Sequence, residues 1–486
     1  MGIISAMLLL PLLGAGVIML ARKHEELCKV LALIASGIVL LMAFYLWYAF
    51  DPAAEGAQFD VLLHWFPSLG VSYAVGVDGL GLPFVLLTAL LCFLALIYTN
   101  DIPERASLYY ALVLLLEVGL IGVFTAMDLF LFYIFWEVVL LPMFFMIGIW
   151  GGNFRSYAAM KFLIYTHVAS VIMMLAIGAM YFKAESLLGY YTFFIPDLMN
   201  AGFPADFQMM VFPALLFAFA VKLATVPFHT WLPDAYVEAP IGGTILLAGI
   251  IIKMGGYGLI RIGYMLNPEG AVYYTPLIVV LAVITIVFGA FVALTQDSLR
   301  KMLAYSSVSH MGFILIGVAS MTYFGIRGAI FQMVAHGLIF AALFMACGIL
   351  EERAKTDLIS KIGGLYYKIP KTMTLLLLSC LASMGIPGFA GFVGEFGVLA
   401  GVVDAFGWVS VLVILGMVIS VAFYLWMFQR IAFGQVSENL VTIKDCSLFE
   451  GAPIVVLVVL FIFFGLFPMP IFNMIETQAA LLAALI

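Results

Sequence analysis

The sequence predicts an all-α polytopic membrane protein of about fourteen transmembrane helices, with two inverted five-helix repeats that each contain one broken helix. Three observations carry this. The chain is 66% hydrophobic and 10% charged, against about 45–50% and about 25% in soluble domains. Apolar runs of about 20 residues, the length that crosses a bilayer core, recur along it. Lysine and arginine then fall on alternate connections between those runs.

Taken in order, the runs lie approximately at 3–21, 30–50, 80–98, 107–125, 129–149, 162–182, 209–228, 241–262, 275–296, 302–322, 326–349, 372–402, 408–432 and 451–472, and are numbered here as spans one to fourteen. In the first run, Ile3–Leu20, the positive residues Arg22 and Lys23 follow the apolar stretch instead of preceding it. That is the reverse of a signal peptide and predicts a retained span. The longest connections are 51–79, 183–208, 350–371 and 433–450. Fifteen of the twenty Lys and Arg residues lie on one set of alternate connections, and only Lys183, Arg261 and Arg327 on the other. The positive-inside rule then puts both termini on the outer side. A net charge of −7 with no basic run excludes nucleic-acid binding. The five cysteines are scattered, with neither metal-ligand spacing nor a disulfide framework.

Spans seven and twelve are interrupted alike. Span seven carries Lys222 and breaks at Ala224-Thr225-Val226-Pro227; span twelve breaks at Gly385-Ile386-Pro387-Gly388 and carries Glu395. They are five spans apart, so the second crosses the membrane in the opposite sense. Paired interrupted helices of opposite sense point to inverted repeats with a site between them. Spans four to eight and nine to thirteen are the two repeats, which divides the chain into a three-helix region (1–106), the repeats (107–262 and 275–432) and a C-terminal helix region (433–486).

Ionisable residues sit deep in these spans. Glu117 lies near the middle of span four, Glu137 of span five, Lys253 of span eight, His310 of span ten and His336 of span eleven, with Lys222 and Glu395 beside the breaks. A lone charge at the bilayer centre costs roughly 2.5–3.5 kcal/mol on insertion scales, so such residues mark a polar path. At 1.5 Å rise per residue the groups form a row parallel to the membrane plane. Glu137 and Lys222 are the expected ion pair, and the hold of Lys222 on its proton is then set by its distance from Glu137. His167, placed near the basic end of span six, and His229, beside the span-seven break, are accessory candidates.

The segments FWEVVLLPMFFMIGIWGG, FAFAVKLATVPFHTWLPDAYVEAP, ILLAGIIIKMGGYGLIR, AYSSVSHMGFILIG, FQMVAHGL and PGFAGFVGEF carry a resemblance. In order and spacing they resemble the membrane-arm, antiporter-like subunits of respiratory complex I, of the subunit M (mitochondrial chain 4) kind. The resemblance implies proton translocation driven by electron transfer to a quinone elsewhere in the complex. It implies Glu137 and Lys222 as the input pair, Lys253 as central relay, His310 and His336 as bridges and Glu395 as the terminal acid. It implies no cofactor in this chain, with flavin, iron–sulfur clusters and quinone in partner subunits, and L-like and N-like neighbours in the membrane arm. The donor implied is NADH, reduced F420 or ferredoxin, and the setting an energy-coupling membrane such as a prokaryotic inner membrane. A multisubunit cation/proton antiporter of the same fold is the alternative. Two positions depart from the pattern. Ala224 stands where proline is usual, which alters how span seven breaks, and Tyr236 stands where a histidine is common, which withdraws imidazole chemistry from that point.

Overall fold

The computed structural model describes residues 2–54, 56–99, 102, 104–436 and 440–485. Among these residues, twelve helices are long and apolar enough to cross a membrane. The shorter Leu82–Tyr98 and the two-piece helix Pro370–Ser383 and Ala390–Phe406 complete the fourteen expected crossings. Several helices outrun their apolar cores: span six is Arg155–Leu188 and span eleven Tyr323–Ala354. Polar residues at a helix end leave lipid but continue the hydrogen-bond ladder.

Two elements go beyond the sequence reading. The 51–79 connection folds into an antiparallel hairpin, β1 (Gln58–Phe66) with β2 (Val71–Val77). Its turn closes at Gly70, whose φ of 64° lies in the left-handed region that glycine enters without a Cβ penalty. The hairpin is tied to span five (Leu129–Trp150) by Asp128, which accepts from the Ser72 N–H at 3.0 Å and also caps the helix through the Phe130 and Leu131 N–H groups. Beyond span fourteen (Leu448–Leu466), a further helix runs over Met469–Ala484.

Burial sorts the spans. Over their most apolar 18 residues, spans eight (Ile241–Tyr264) and eleven are wholly buried and span ten (Leu299–Ala319) is 94% buried, whereas spans one and two (Ile3–Leu20, Glu25–Ala49) bury only 39% and 33%. Lys253, His336 and His310 therefore sit on helices that other helices shield from lipid, which removes most of the cost of a charge at that depth.

The two breaks share one cap. At Ala224 (φ 55°) the Thr225 N–H bonds to Ala220 O and the Ala224 N–H to Val221 O; at Gly385 (φ 69°) the Ile386 N–H bonds to Leu381 O and the Gly385 N–H to Ala382 O. Both are Schellman caps, with the left-handed residue at the same position. Proline at 224 could supply neither the positive φ nor the donated N–H, so alanine here goes with this particular break. Left-handed alanine costs about 1–2 kcal/mol. Ala224→Gly is therefore expected to raise the thermal midpoint of the detergent-solubilised protein, and Gly385→Ala to lower it. The second change is expected to be the larger, because a Cβ at 385 would also strike the Glu395 carboxylate.

Candidate functional site

The site assembles where spans eight, ten, eleven and twelve meet. Span eight is not a uniform α-helix: Leu247–Ile251 and Leu259–Tyr264 are π-helical, on either side of Lys253. A π turn widens the helix and loosens its ladder, a feature frequent at functional sites. Lys253 uses it, its Nζ donating to the Ala248 carbonyl. The same Nζ lies 2.8 Å from His336 Nδ1. The other ring nitrogen of His336, Nε2, lies 3.2 Å from Ser307 Oγ, and the ring stacks on Phe340 with centroids 3.8 Å apart. The ring of His310 is 5.5 Å from that of His336. His310 Nδ1 is 3.2 Å from Glu395 Oε1, off the line of a hydrogen bond, while its Nε2 faces Ser383 Oγ at 3.3 Å. Ser383 in turn donates to Tyr424, which also meets Ser306, at 2.8 Å each. Lys253, His336, His310 and Glu395 thus form an unbroken series of neighbours in which every group can hold or release a proton.

A second cluster forms on spans five and six. Glu137 accepts from the Ser170 hydroxyl and lies 3.2 Å from His167 Nδ1. Span six begins at Arg155, so the helix continues well past His167 toward its basic end. The expected Glu137–Lys222 ion pair is not closed. Among the described residues Lys222 Nζ makes no ion pair or hydrogen bond; it lies 5.4 Å over the Trp136 ring and 5.8 Å over the Phe162 ring. These are cation–π distances, which hold an ammonium without fixing it to one carboxylate. Lys222 and Lys253 lie on helices in backbone contact: a Cβ at Gly255 would sit 2.6 Å from Leu223 N.

The remaining candidates sort by place. Glu117 is fully buried, but its partner is Ser36 Oγ on span two at 2.9 Å, away from the row. His229 is buried against Phe288 and Tyr305, and its Nδ1 has no hydrogen-bond partner among the described residues. Pro227, Gly385, Pro387 and Gly388 all lie in the two breaks. The sequence reading did not anticipate Ser170, Ser306, Ser307, Ser383 and Tyr424, although Ser170 follows His167, and His310 follows Ser307, at the three-residue spacing that shares a helix face. It also placed Arg261 in a connection; the side chain is buried, with Nη2 2.6 Å from Asp78 at the start of span three. No three His, Cys, Asp or Glu side chains converge as a metal site among the described residues.

Comparison with known proteins identifies the family and the fold. A model of the family described as NADH:quinone oxidoreductase/Mrp antiporter, transmembrane, matches residues 126–421. The chain is 36% identical to F(420)H(2) dehydrogenase subunit M of Methanosarcina mazei, across 99% of this chain and 98% of that one. It is 38% identical to NADH-quinone oxidoreductase subunit M of Rhodobacter capsulatus, across 98% and 96%. Among solved structures it superposes on a chain of respiratory complex I from Thermus thermophilus with a TM-score of 0.91 at 30% identity, covering 99% of both. A chain of the Mrp complex from Dietzia sp. has the same fold, with a TM-score of 0.86 at 23% identity and 100% of both chains covered. The chain belongs to the NADH:quinone oxidoreductase/Mrp antiporter transmembrane family, as an antiporter-like membrane subunit of the complex I subunit M kind.

Proposed function

We propose that this subunit moves protons along the midplane row Glu137, Lys222, Lys253, His336, His310, Glu395, driven by electron transfer in partner subunits. The observation that carries the reading is the contact series from Lys253 to Glu395, set on helices shielded from lipid. Neutral Lys253 receives a proton from His336 Nδ1, or its ammonium returns one, with His336 exchanging tautomers through Ser307. His310 passes the charge on to Glu395. The chain's own contribution is positions and proton affinities; flavin, iron–sulfur and quinone chemistry belongs to partners. The donor is NADH or a related carrier such as reduced F420 or ferredoxin, and the acceptor a quinone in an energy-coupling prokaryotic membrane. Both termini face outward, and the ends of spans three, eight, ten and eleven that meet around Arg300 and Arg353 face the inner compartment.

The input end opens to a neighbour. Glu137 and His167 are partly exposed at membrane depth, on a face that also presents Ile164, Val168 and Leu175. A carboxylate facing lipid there would be costly, so an adjoining L-like or N-like subunit covers it in the assembled arm.

The alternative is a subunit of a cation/proton exchanger of the same fold. Full-length identity to subunit M relatives favours the first reading. Purification decides: iron–sulfur subunits co-purify in the first case, small exchanger subunits in the second. His336→Leu tests the row itself, since leucine keeps the packing against Phe340 and removes both ring nitrogens. In complex reconstituted into liposomes, proton uptake is expected to fall, either with quinone reduction or relative to it; wild-type values for both in a normally assembled complex would rule against the row.

A further inference from the structure

Lys253, His336 and His310 are enclosed, and none of them reaches open water in the chain. A polar cavity of about 1190 Å³ opens at the arginine-rich ends of the spans, lined by Tyr98, Tyr109, Ile241, Arg300, Gly348 and Glu351 among others. On span eleven, Gly348, Phe344, Phe340 and His336 recur every four residues, so each neighbours the next along a row that winds slowly round the helix. From the cavity floor to His336 is therefore about 18 Å along the helix, past two phenylalanine rings.

One polar group interrupts this apolar stretch. Tyr236 packs its ring edge-on to Phe344, with centroids 5.2 Å apart. It is fully buried, and its hydroxyl has no hydrogen-bond partner among the described residues. A buried unpartnered hydroxyl costs stability that phenylalanine would not, so packing gives no reason for tyrosine here. The hydroxyl is near enough to Ser307 to interact with it, although no hydrogen bond between them is closed, and Ser307 Oγ is itself 3.2 Å from His336 Nε2. The turn carrying Tyr236 is braced from the cavity side: Arg300 Nη1 donates to Val237 O at 2.7 Å and to Ala239 O at 3.0 Å, and Thr244 Oγ1 to Tyr236 O at 3.2 Å.

We propose that Tyr236 and Ser307 form a hydroxyl link that carries protons from the arginine-lined cavity to His336. A proton carried from the cavity by protonated water along the Arg300-braced turn passes to the Tyr236 oxygen as the tyrosine's own proton passes to Ser307, and the water is left neutral. Ser307 releases its proton to His336 Nε2, and His336 Nδ1 gives its proton to neutral Lys253. Each group ends with as many protons as it began, except the lysine, which gains one; rotation of the two hydroxyls and return of the imidazole to its first tautomer reset the link. The open contact between Tyr236 and Ser307 is the closed state of this entry.

The inference rests on the row being a proton path, and the test separates the two. The assembled complex, reconstituted into liposomes with a pH-sensitive dye trapped inside and driven by its own donor, is compared across variants. Tyr236→Phe and Ser307→Ala are each expected to lower the initial rate of proton movement about 100-fold, the lower end of the loss when a proton-transfer group is removed. The double variant should be no worse than either single one, and Tyr236→His should recover most of the rate, because imidazole can carry the proton. If Lys253→Met stops pumping while Tyr236→Phe and Ser307→Ala pump normally, the link is overturned and the row stands. If all three pump normally, both fall. A loss in Tyr236→Phe that Tyr236→His does not restore assigns the tyrosine to packing and also overturns the link. Should Tyr236→Phe fail to assemble, Ser307→Ala decides alone by the same criterion.

Discussion

Lys253→Met is expected to stop proton translocation through this subunit while leaving the subunit assembled. Methionine fills nearly the same volume and keeps the unbranched stem, so span eight stays packed. The substitution strands the Ala248 carbonyl and His336 Nδ1, at about 1–3 kcal/mol for a buried unsatisfied group, but it also removes a charge that has no carboxylate within reach. What disappears is the one group that joins span eight to the His336–His310–Glu395 series. Loss of a positioned proton carrier typically costs about 10²–10⁴ in rate. The check is proton movement against quinone reduction in reconstituted complex. Either both rates fall together, or electrons continue with fewer protons moved per pair. Wild-type values for both quantities in a fully assembled variant would contradict the assignment of Lys253.

The second large effect is at Lys222, where three substitutions separate charge from proton transfer. Lys222→Ala removes both and is expected to abolish pumping. Lys222→Arg keeps a cation that can lie over Trp136 and Phe162, but guanidinium does not give up its proton in a protein, so pumping is expected to fail here too. Glu137→Gln is expected to act in the same direction, because the approach of Glu137 to Lys222 is the step that would change the lysine's hold on its proton. The scale is adequate: moving one proton against about 150 mV costs about 3.5 kcal/mol, and breaking a buried ion pair by removing one partner costs about 3–5 kcal/mol. The open geometry, with Glu137 engaged by His167 and Ser170 and Lys222 held over two rings, is one end of that movement. A Lys222→Arg variant that pumps at the wild-type rate would show that only the positive charge matters and would remove Lys222 from the transfer path.

Much of this was legible in the chain because membrane depth can be counted. A 20-residue apolar run fixes where its middle lies, so Lys253, His310 and His336 could be placed at similar depth from sequence, and the paired breaks at Pro227 and Pro387 showed where two helices stop. Lateral position and rotation are another matter. Glu117 and Glu137 look alike in a hydropathy profile, yet Glu117 turns toward Ser36 and Glu137 toward His167, because helix rotation is set by packing that no local pattern encodes. The reach of span six past its apolar run, to Arg155 and Leu188, was missed because apolarity marks where lipid ends and not where the helix does. The π turns around Lys253 leave no signature in ILLAGIIIKMGGYG. The hairpin at 58–77 is short and follows a connection rich in alanine and glycine, so its alternation is brief beside the long apolar runs. The same cap at Ala224 and Gly385 is the clearest gain from the structure. It gives a physical reason why proline does not stand at 224, which needs a positive φ and a donated N–H.

The weakest link in the row is the stretch between Lys222 and Lys253, where no hydrogen bond joins the two among the described residues although their helices touch. A map of the assembled complex at a resolution that shows ordered water tests the central claim there. Ordered waters or hydroxyls spanning from Lys222 Nζ to Lys253 Nζ, with Lys253 still against His336, are expected. Apolar side chains closing that gap without water in every catalytic state would contradict it.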